Sequence, residues 1–224
     1  MTKKALFLSG GWEGHEPQET SEFISSELQQ FKIQSEIVND LDVLGDIDFL
    51  KNLDIIIQVW TIGKIYDDNW EIKNSKIGNL QEVIHSGIGL AGWHGGMADA
   101  FRDNTNYQFL VGSQFVCHPG DFVDYQVIIK DDEHPITHNI NHFSVHSEQY
   151  FLHYDPSVNI IASTTFNEKY HSWIDGVEMP IAYTKTWGKG KIFYCSIGHH
   201  MKDFENLDVV RLICQGINWA VKST

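Results

Sequence analysis

Residues 88–96, IGLAGWHGG, decide how this chain folds. An apolar run reaches Trp93 and then meets His94 and the paired glycines Gly95 and Gly96. That is the signature of a buried parallel strand breaking into a tight turn before a helix. Gly92-Trp93-His94-Gly95-Gly96 also has the form of a nucleophile elbow, in which small flanking residues permit a strained turn that exposes the central side chain. The central residue is His94 rather than Ser or Cys, so acyl-enzyme chemistry is disfavoured here. An imidazole at this place suits a general acid/base or a metal ligand, against the plainer reading of a histidine capping the next helix.

Working outward, residues 4–9 (KALFLS) and 54–60 (DIIIQVW) read as further buried strands, with a shorter one at 35–38 (SEIV). Between them Ile24, Leu28 and Phe31 mark a helix capped by Thr20 or Ser21, and Ile77, Leu80, Val83 and Ile84 mark another closed by Gly87. This alternation predicts a parallel sheet with helices on both faces. Later strands are expected at 127–129, 160–164, 181–183 and 191–196, with Gly188-Lys189-Gly190 turning a hairpin between the last two, and a closing helix at 209–219. With no repeat, linker or low-complexity segment, the expectation is one α/β domain over residues 1–224.

Composition narrows the function. The 42% hydrophobic content over 224 residues supports a well-buried core. Sixteen Lys+Arg against 30 Asp+Glu leave a net charge of −14, which repels phosphate backbones and anionic lipids, so neither nucleic acid nor membrane is the expected partner. Three cysteines without a CxxC spacing argue against a disulfide framework or zinc knuckle. The opening MTKKALFLSGGW has too short an apolar run for a signal peptide, and no run is long enough to span a membrane, so a cytoplasmic protein is expected. Twelve His and 7 Trp, many beside glycines or at the ends of apolar runs, suit a sugar-sized ligand or a metal.

Ligands of open α/β sheets bind beyond the carboxyl ends of the strands, so strand ends are where chemistry is sought. After the first strand, GGWEGHEP from Gly10 offers Trp12 as a stacking face, Glu13 as a carboxylate and His15 as an imidazole. Trp60 and Trp93 are further candidates for stacking on a sugar ring, with core packing as the alternative. Asp99 and Arg102 either orient His94 and hold a hydroxyl-rich or anionic group, or form an ordinary ion pair. In 115–120 (FVCHPG), the Pro-Gly turn aims His118, while Cys117 points to the opposite face of an extended segment. Glu148 and Tyr150 point the same way if their segment is extended, which would pair an acid with a hydroxyl. His199, after a late strand, is placed to reach across the sheet top towards His94.

Taken in order, GGWEGHEP, GWHGGMADAFR (92–102), FVCHPG, SEQYFLHYDP (147–156) and WGKGKIFYCSIGHH (187–200) closely resemble the ThuA-like, or trehalose-utilisation, family over about residues 4–220. The resemblance implies the flavodoxin-like three-layer sandwich, with a central mostly parallel sheet, of class I glutamine amidotransferases. Those enzymes carry a cysteine at the elbow, so with His94 there glutaminase activity is not inherited. It further implies a role in sugar catabolism beside oxidoreductases that make 3-keto sugars. His15, His94, His118, Glu148 and His199 are the motif positions implied to line the pocket.

The expected function is therefore an enzyme acting on a keto-sugar or keto-glycoside, by isomerisation or cleavage, with His94, Glu148 and His199 as catalytic groups. His15, His94 and His118 are the candidate ligands of a divalent ion such as zinc. The partner is a small-molecule carbohydrate, and a homo-oligomer is left open. A non-catalytic sugar-binding module on the same scaffold is the alternative, and a hydrolase using Cys117 with His199 is the weakest reading.

Overall fold

The computed structural model describes residues 2–65 and 75–223. Five strands form a parallel array: β1 (Lys3–Gly11), β2 (Ile33–Val38), β3 (Ile55–Thr61), β4 (Gly89–Trp93) and, from the far end of the chain, β11 (Gly190–Cys195). Their alternating side chains divide between two cores. Phe7, Ile57 and Trp93 face one side, and Leu6, Ile56 and Leu90 the other. The first face is covered by α1 (Pro17–Glu27) and α6 (Leu207–Ala220), the second by α2 (Ile47–Leu50), α3 (Lys76–Ser86) and α5 (Thr105–Val111). A strand buried on both faces has to be apolar throughout, and this accounts for the unbroken Ile-rich run in β3.

The helix read from Ile24 and its neighbours begins earlier, at Pro17, because proline is well tolerated in a first helical turn. Thr20 and Ser21 lie inside that helix, where Thr20 donates its hydroxyl proton to the carbonyl of Glu16 and Ser21 donates to Ser9 Oγ. The α-helix gives way after Glu27 to a 3-10 turn at Leu28–Phe31. Ser75 caps α3, and Gly87 at φ 122° ends it.

β10 (Glu178–Trp187) pairs antiparallel with β11 as the expected hairpin. Beyond it come β9 (Asn159–Thr165), β6 (Phe122–Ile129) and β7 (Phe143–Glu148), giving a mixed nine-stranded sheet in the order β2-β1-β3-β4-β11-β10-β9-β6-β7. β7 and the small sheet of β5 (Ser113–Cys117) and β8 (Phe151–Tyr154) are not among the expected strands, although the segment about Cys117 reads as extended. The flavodoxin-like α/β sandwich stands, its parallel array extended by an antiparallel wing that carries Glu148. Among the described residues no helix is long and apolar enough to cross a membrane.

Lys185 ties the wing to the helical layer. Its buried ammonium donates to the carbonyl of Phe109 in α5 at 2.5 Å and to Asp155 Oδ2 at 3.0 Å. Lys185→Met keeps the stem but strands both acceptors. It should cost about 1.5–3 kcal/mol in urea unfolding, the scale of a hydrogen bond to a charged group.

Candidate functional site

Three loops and the start of a short helix bring the candidate residues together at the carboxyl edge of the parallel strands. His94 opens α4 (His94–Ala98) with φ 47°, the left-handed conformation that an elbow imposes on its central residue. Its carbonyl accepts a hydrogen bond from Tyr194. Register pairs Trp93 with Cys195, so His94 and Ser196 leave adjacent strands side by side. His94 Nδ1 lies 2.8 Å from the Ser196 carbonyl. A carbonyl only accepts, so Nδ1 carries a proton, and in the neutral ring Nε2 is a bare lone pair.

That lone pair accepts from the Tyr150 hydroxyl at 2.8 Å and lies 3.2 Å from both Glu148 Oε2 and His199 Nδ1. His199 Nδ1 is 3.1 Å from the same carboxylate oxygen. His15 completes the group, its Nδ1 held 2.7 Å from Thr61 Oγ1, and one donor atom from each of His15, His94, Glu148 and His199 falls within 4.8 Å of the others. All four residues are buried. Gly95 is required beside them, because a Cβ there would sit 2.5 Å from the His15 ring.

Burial and the neighbouring imidazoles lower the His15 pKa to about 2, and burial likewise lowers that of His94 against the pull of Glu148. Burial acts to raise the Glu148 pKa, but the adjoining His199 and His94 imidazoles overcome it and hold the carboxyl well below the usual range. Two neutral imidazoles and an ionised carboxylate thus converge. His94 Nε2 and Glu148 Oε2 face each other at 3.2 Å, a contact satisfied either by a proton shared between them or by a cation that both would hold. An extra proton on His94 is opposed by its burial. Ligands about 2.0–2.1 Å from a transition ion stand about 3.0–3.4 Å from one another, which the 3.1–3.2 Å distances among His94, Glu148 and His199 match, with His15 inside the 4.8 Å span of the group. These four residues could hold such an ion.

The remaining candidates divide. His118 stands outside the group, 32% exposed, with Nε2 3.7 Å from Glu148 Oε1, so of the expected ligands His15 and His94 lie together, with Glu148 and His199 rather than His118 beside them. Trp12 lies 49% exposed at the rim, edge-on to His15 and His199. Trp93 is a correction: at 2% exposure it packs between Phe7 and Phe204 in the core, because its strand is covered on both faces. Trp60 is half-buried and packs against the second core and the glycines Gly10 and Gly63, while Glu13 is solvent-exposed. Asp99 takes the ion-pair reading, gripping Arg102 with both oxygens, and the group that orients His94 is the Ser196 carbonyl. Burial raises the Cys117 thiol pKa, the opposite of what an attacking thiolate needs.

The profile of the ThuA family, described as trehalose utilisation, matches residues 4–220. The chain belongs to the ThuA family. A putative ThuA-like protein from Bacteroides uniformis ATCC 8492 is 16% identical, with a TM-score of 0.76 over 97% of this chain and 91% of that one. Another from Parabacteroides merdae ATCC 43184 is 15% identical, with a TM-score of 0.72 over 100% and 93%. A protein described as cytoplasmic from Salmonella typhimurium LT2 is 13% identical, with a TM-score of 0.68 over 98% and 100%. At these identities the likeness speaks for the fold. No curated protein matches.

Within this ThuA chain, sequence reasoning missed Phe122, Thr61 and Asp203. Phe122 sits directly across from Glu148 in the β6–β7 register and meets the His199 ring at 4.9 Å. Asp203 Oδ2 accepts from the His199 backbone N–H at 2.7 Å and from Ser147 Oγ at 2.8 Å, which clamps the loop bearing His199 to the strand bearing Glu148. An aspartate four residues beyond a histidine is too common a spacing to single out. Asp203→Ala should destabilise the fold by about 2–3 kcal/mol in chemical denaturation, because two donors lose a charged acceptor. Unchanged stability would show that the clamp is idle.

Proposed function

We propose that the chain is a cytoplasmic carbohydrate-catabolism enzyme that acts on keto-sugars or keto-glycosides by metal-assisted acid–base chemistry. The family's description as trehalose utilisation supports the carbohydrate side. The observation that carries the chemistry is the convergence of His94 Nε2, Glu148 Oε2 and His199 Nδ1 within 3.1–3.2 Å of one another, inside a buried group of three imidazoles and a carboxylate. His15, His94, Glu148 and His199 are the ligands in this reading, and such a donor set suits zinc or a similar transition ion over magnesium. A divalent ion supplies Lewis-acid polarisation of a sugar carbonyl and stabilises the negative charge of an enediolate.

The chain's own groups do the rest. A proton on the carbon next to the carbonyl is removed by His118, the imidazole on the solvent side of Glu148, and the C–H electron pair moves towards the carbonyl oxygen. Tyr150 stays a hydroxyl, since burial and the Glu148 charge raise its pKa well above the ordinary value, and once His94 Nε2 serves as a ligand its proton, which that lone pair accepts here, would be free to hydrogen-bond a sugar oxygen. Trp12 and Phe122 at the rim supply apolar faces for a sugar ring.

The test combines metal analysis by mass spectrometry with proton NMR of a methyl 3-keto-glucoside in D2O. The purified protein should carry a stoichiometric transition metal and incorporate deuterium beside the carbonyl. His94→Ala should lose both. His118→Gln should keep the metal and slow exchange by about 100-fold or more. A folded wild-type protein with neither metal nor exchange would sink the reading. Metal and ligand bound without exchange would instead favour a sugar-binding module.

A further inference from the structure

Arg102 is one of two arginines in the chain, and the other, Arg211, pairs with Asp208 on α6. Buried Asp99 accepts from the Arg102 Nε–H at 2.5 Å and from its Nη2–H at 2.7 Å. The backbone between them is held in a costly shape. Phe101 takes φ 47° with its ring buried, and Ile62, a β-branched residue at φ 61°, donates to the Asp99 carbonyl and accepts from the Phe101 N–H. This turn is thereby pinned to the carboxyl end of β3. The guanidinium lies 5.7 Å from the centre of the Phe115 ring, which meets the Tyr150 ring at 4.5 Å and the His118 ring at 5.7 Å. One phenylalanine is thus bordered by the guanidinium, by the tyrosine bonded to His94 and by the imidazole that acts as base in the reading above. Burial is the main cause of the raised Tyr150 pKa, and the Arg102 charge acts against it, so the guanidinium is within electrostatic reach of that hydroxyl.

We propose that Arg102 is a specificity-determining residue whose unused edge binds a hydroxyl oxygen flanking the ketone, so that the substrate is a neutral α-hydroxy ketone sugar. The inference rests on the keto-sugar reading above. Asp99 occupies the Nε–Nη2 edge of the guanidinium, while Nη1 has no hydrogen-bond partner among the described residues and the side chain stays 49% exposed. Guanidinium nitrogens donate and never accept, so what completes this edge is an oxygen. The planar fork, gripped from behind and lying over an aromatic ring, holds those donors in fixed directions at no further entropic cost, which a lysine ammonium would not do. Asp99 also settles the charge of the ligand. Its carboxylate cancels the guanidinium, and the net charge of −14 opposes anions further, so a carboxylate or phosphate gains little here. A neutral hydroxyl asks only for a positioned donor.

Two measurements test the assignment. With only two arginines, protein labelled with the NMR-active nitrogen isotope gives two Nε–H signals, and Arg211→Lys removes one and so assigns both. Methyl 3-keto-glucoside should move the Arg102 signal and leave that of Arg211 in place. Calorimetry then compares this probe with its 2-deoxy and 4-deoxy analogues. In the wild-type protein one analogue should bind about tenfold or more weakly than the parent, the scale of a hydrogen bond to a charged group. In Arg102→Met, and in Arg102→Lys, whose ammonium is drawn to Asp99, that penalty should shrink to about threefold or less. An Arg102 signal that stays put while the probe binds would overturn the assignment and leave the keto-sugar reading intact. The same holds if neither analogue is penalised, or if the penalty persists in both variants. Tighter binding of a methyl 3-keto-glucuronoside, weakening with added salt, would give the edge to an anion instead. Should neither variant fold, the NMR shift decides. Binding of none of the probes would overturn the keto-sugar reading and this assignment with it.

Discussion

His94 donates its Nδ1 proton to the carbonyl of Ser196, and the chemistry of the site depends on that bond. It selects the tautomer whose Nε2 lone pair turns towards Glu148 and His199. The bond in turn depends on two neighbouring strands that lie almost a hundred residues apart in the chain. Trp93 and Cys195 are register partners, so the residues following them emerge together. The left-handed backbone at His94 then lifts its ring out of the sheet plane, while Tyr194 holds the carbonyl behind it. A shift of one residue between these strands would send the imidazole to the wrong face.

The antiparallel wing supplies what a bare parallel sheet lacks. Its outermost strand ends in Glu148, whose charge is kept in a buried place by His94 and His199. An isolated carboxylate there would take up a proton. The Asp203 clamp holds the two halves of this arrangement together from behind, through backbone N–H and hydroxyl donors that carry no sequence signature of their own.

Much of this was legible before the fold was known. Buried strands, the strand–helix alternation, the elbow at His94 and the hairpin about Gly188 each follow from local spacing of apolar residues and glycines. Glu148 and Tyr150 were also readable as a pair, since alternation along an extended segment puts them on one side and Gln149 on the other, where its amide meets Thr164. Trp93 was open to misreading because an aromatic at a strand end has the same local pattern whether it faces solvent or core. Neighbours from α6 and the preceding 3-10 turn decide which, and Phe204 covers it.

By itself, then, the sequence determined the parallel strands with their helices, the family and the residue types that can do chemistry, because these depend on contacts within a few residues. Only the tertiary structure decided which histidines meet. His15, His94 and His199 come from loops after three different strands, and Glu148 from a fourth, so their meeting is a consequence of strand order and register. It left His118 at the rim and put Phe122 across from Glu148 for the same reason: pairing between distant strands sets which side chains share a space, and no local pattern encodes it.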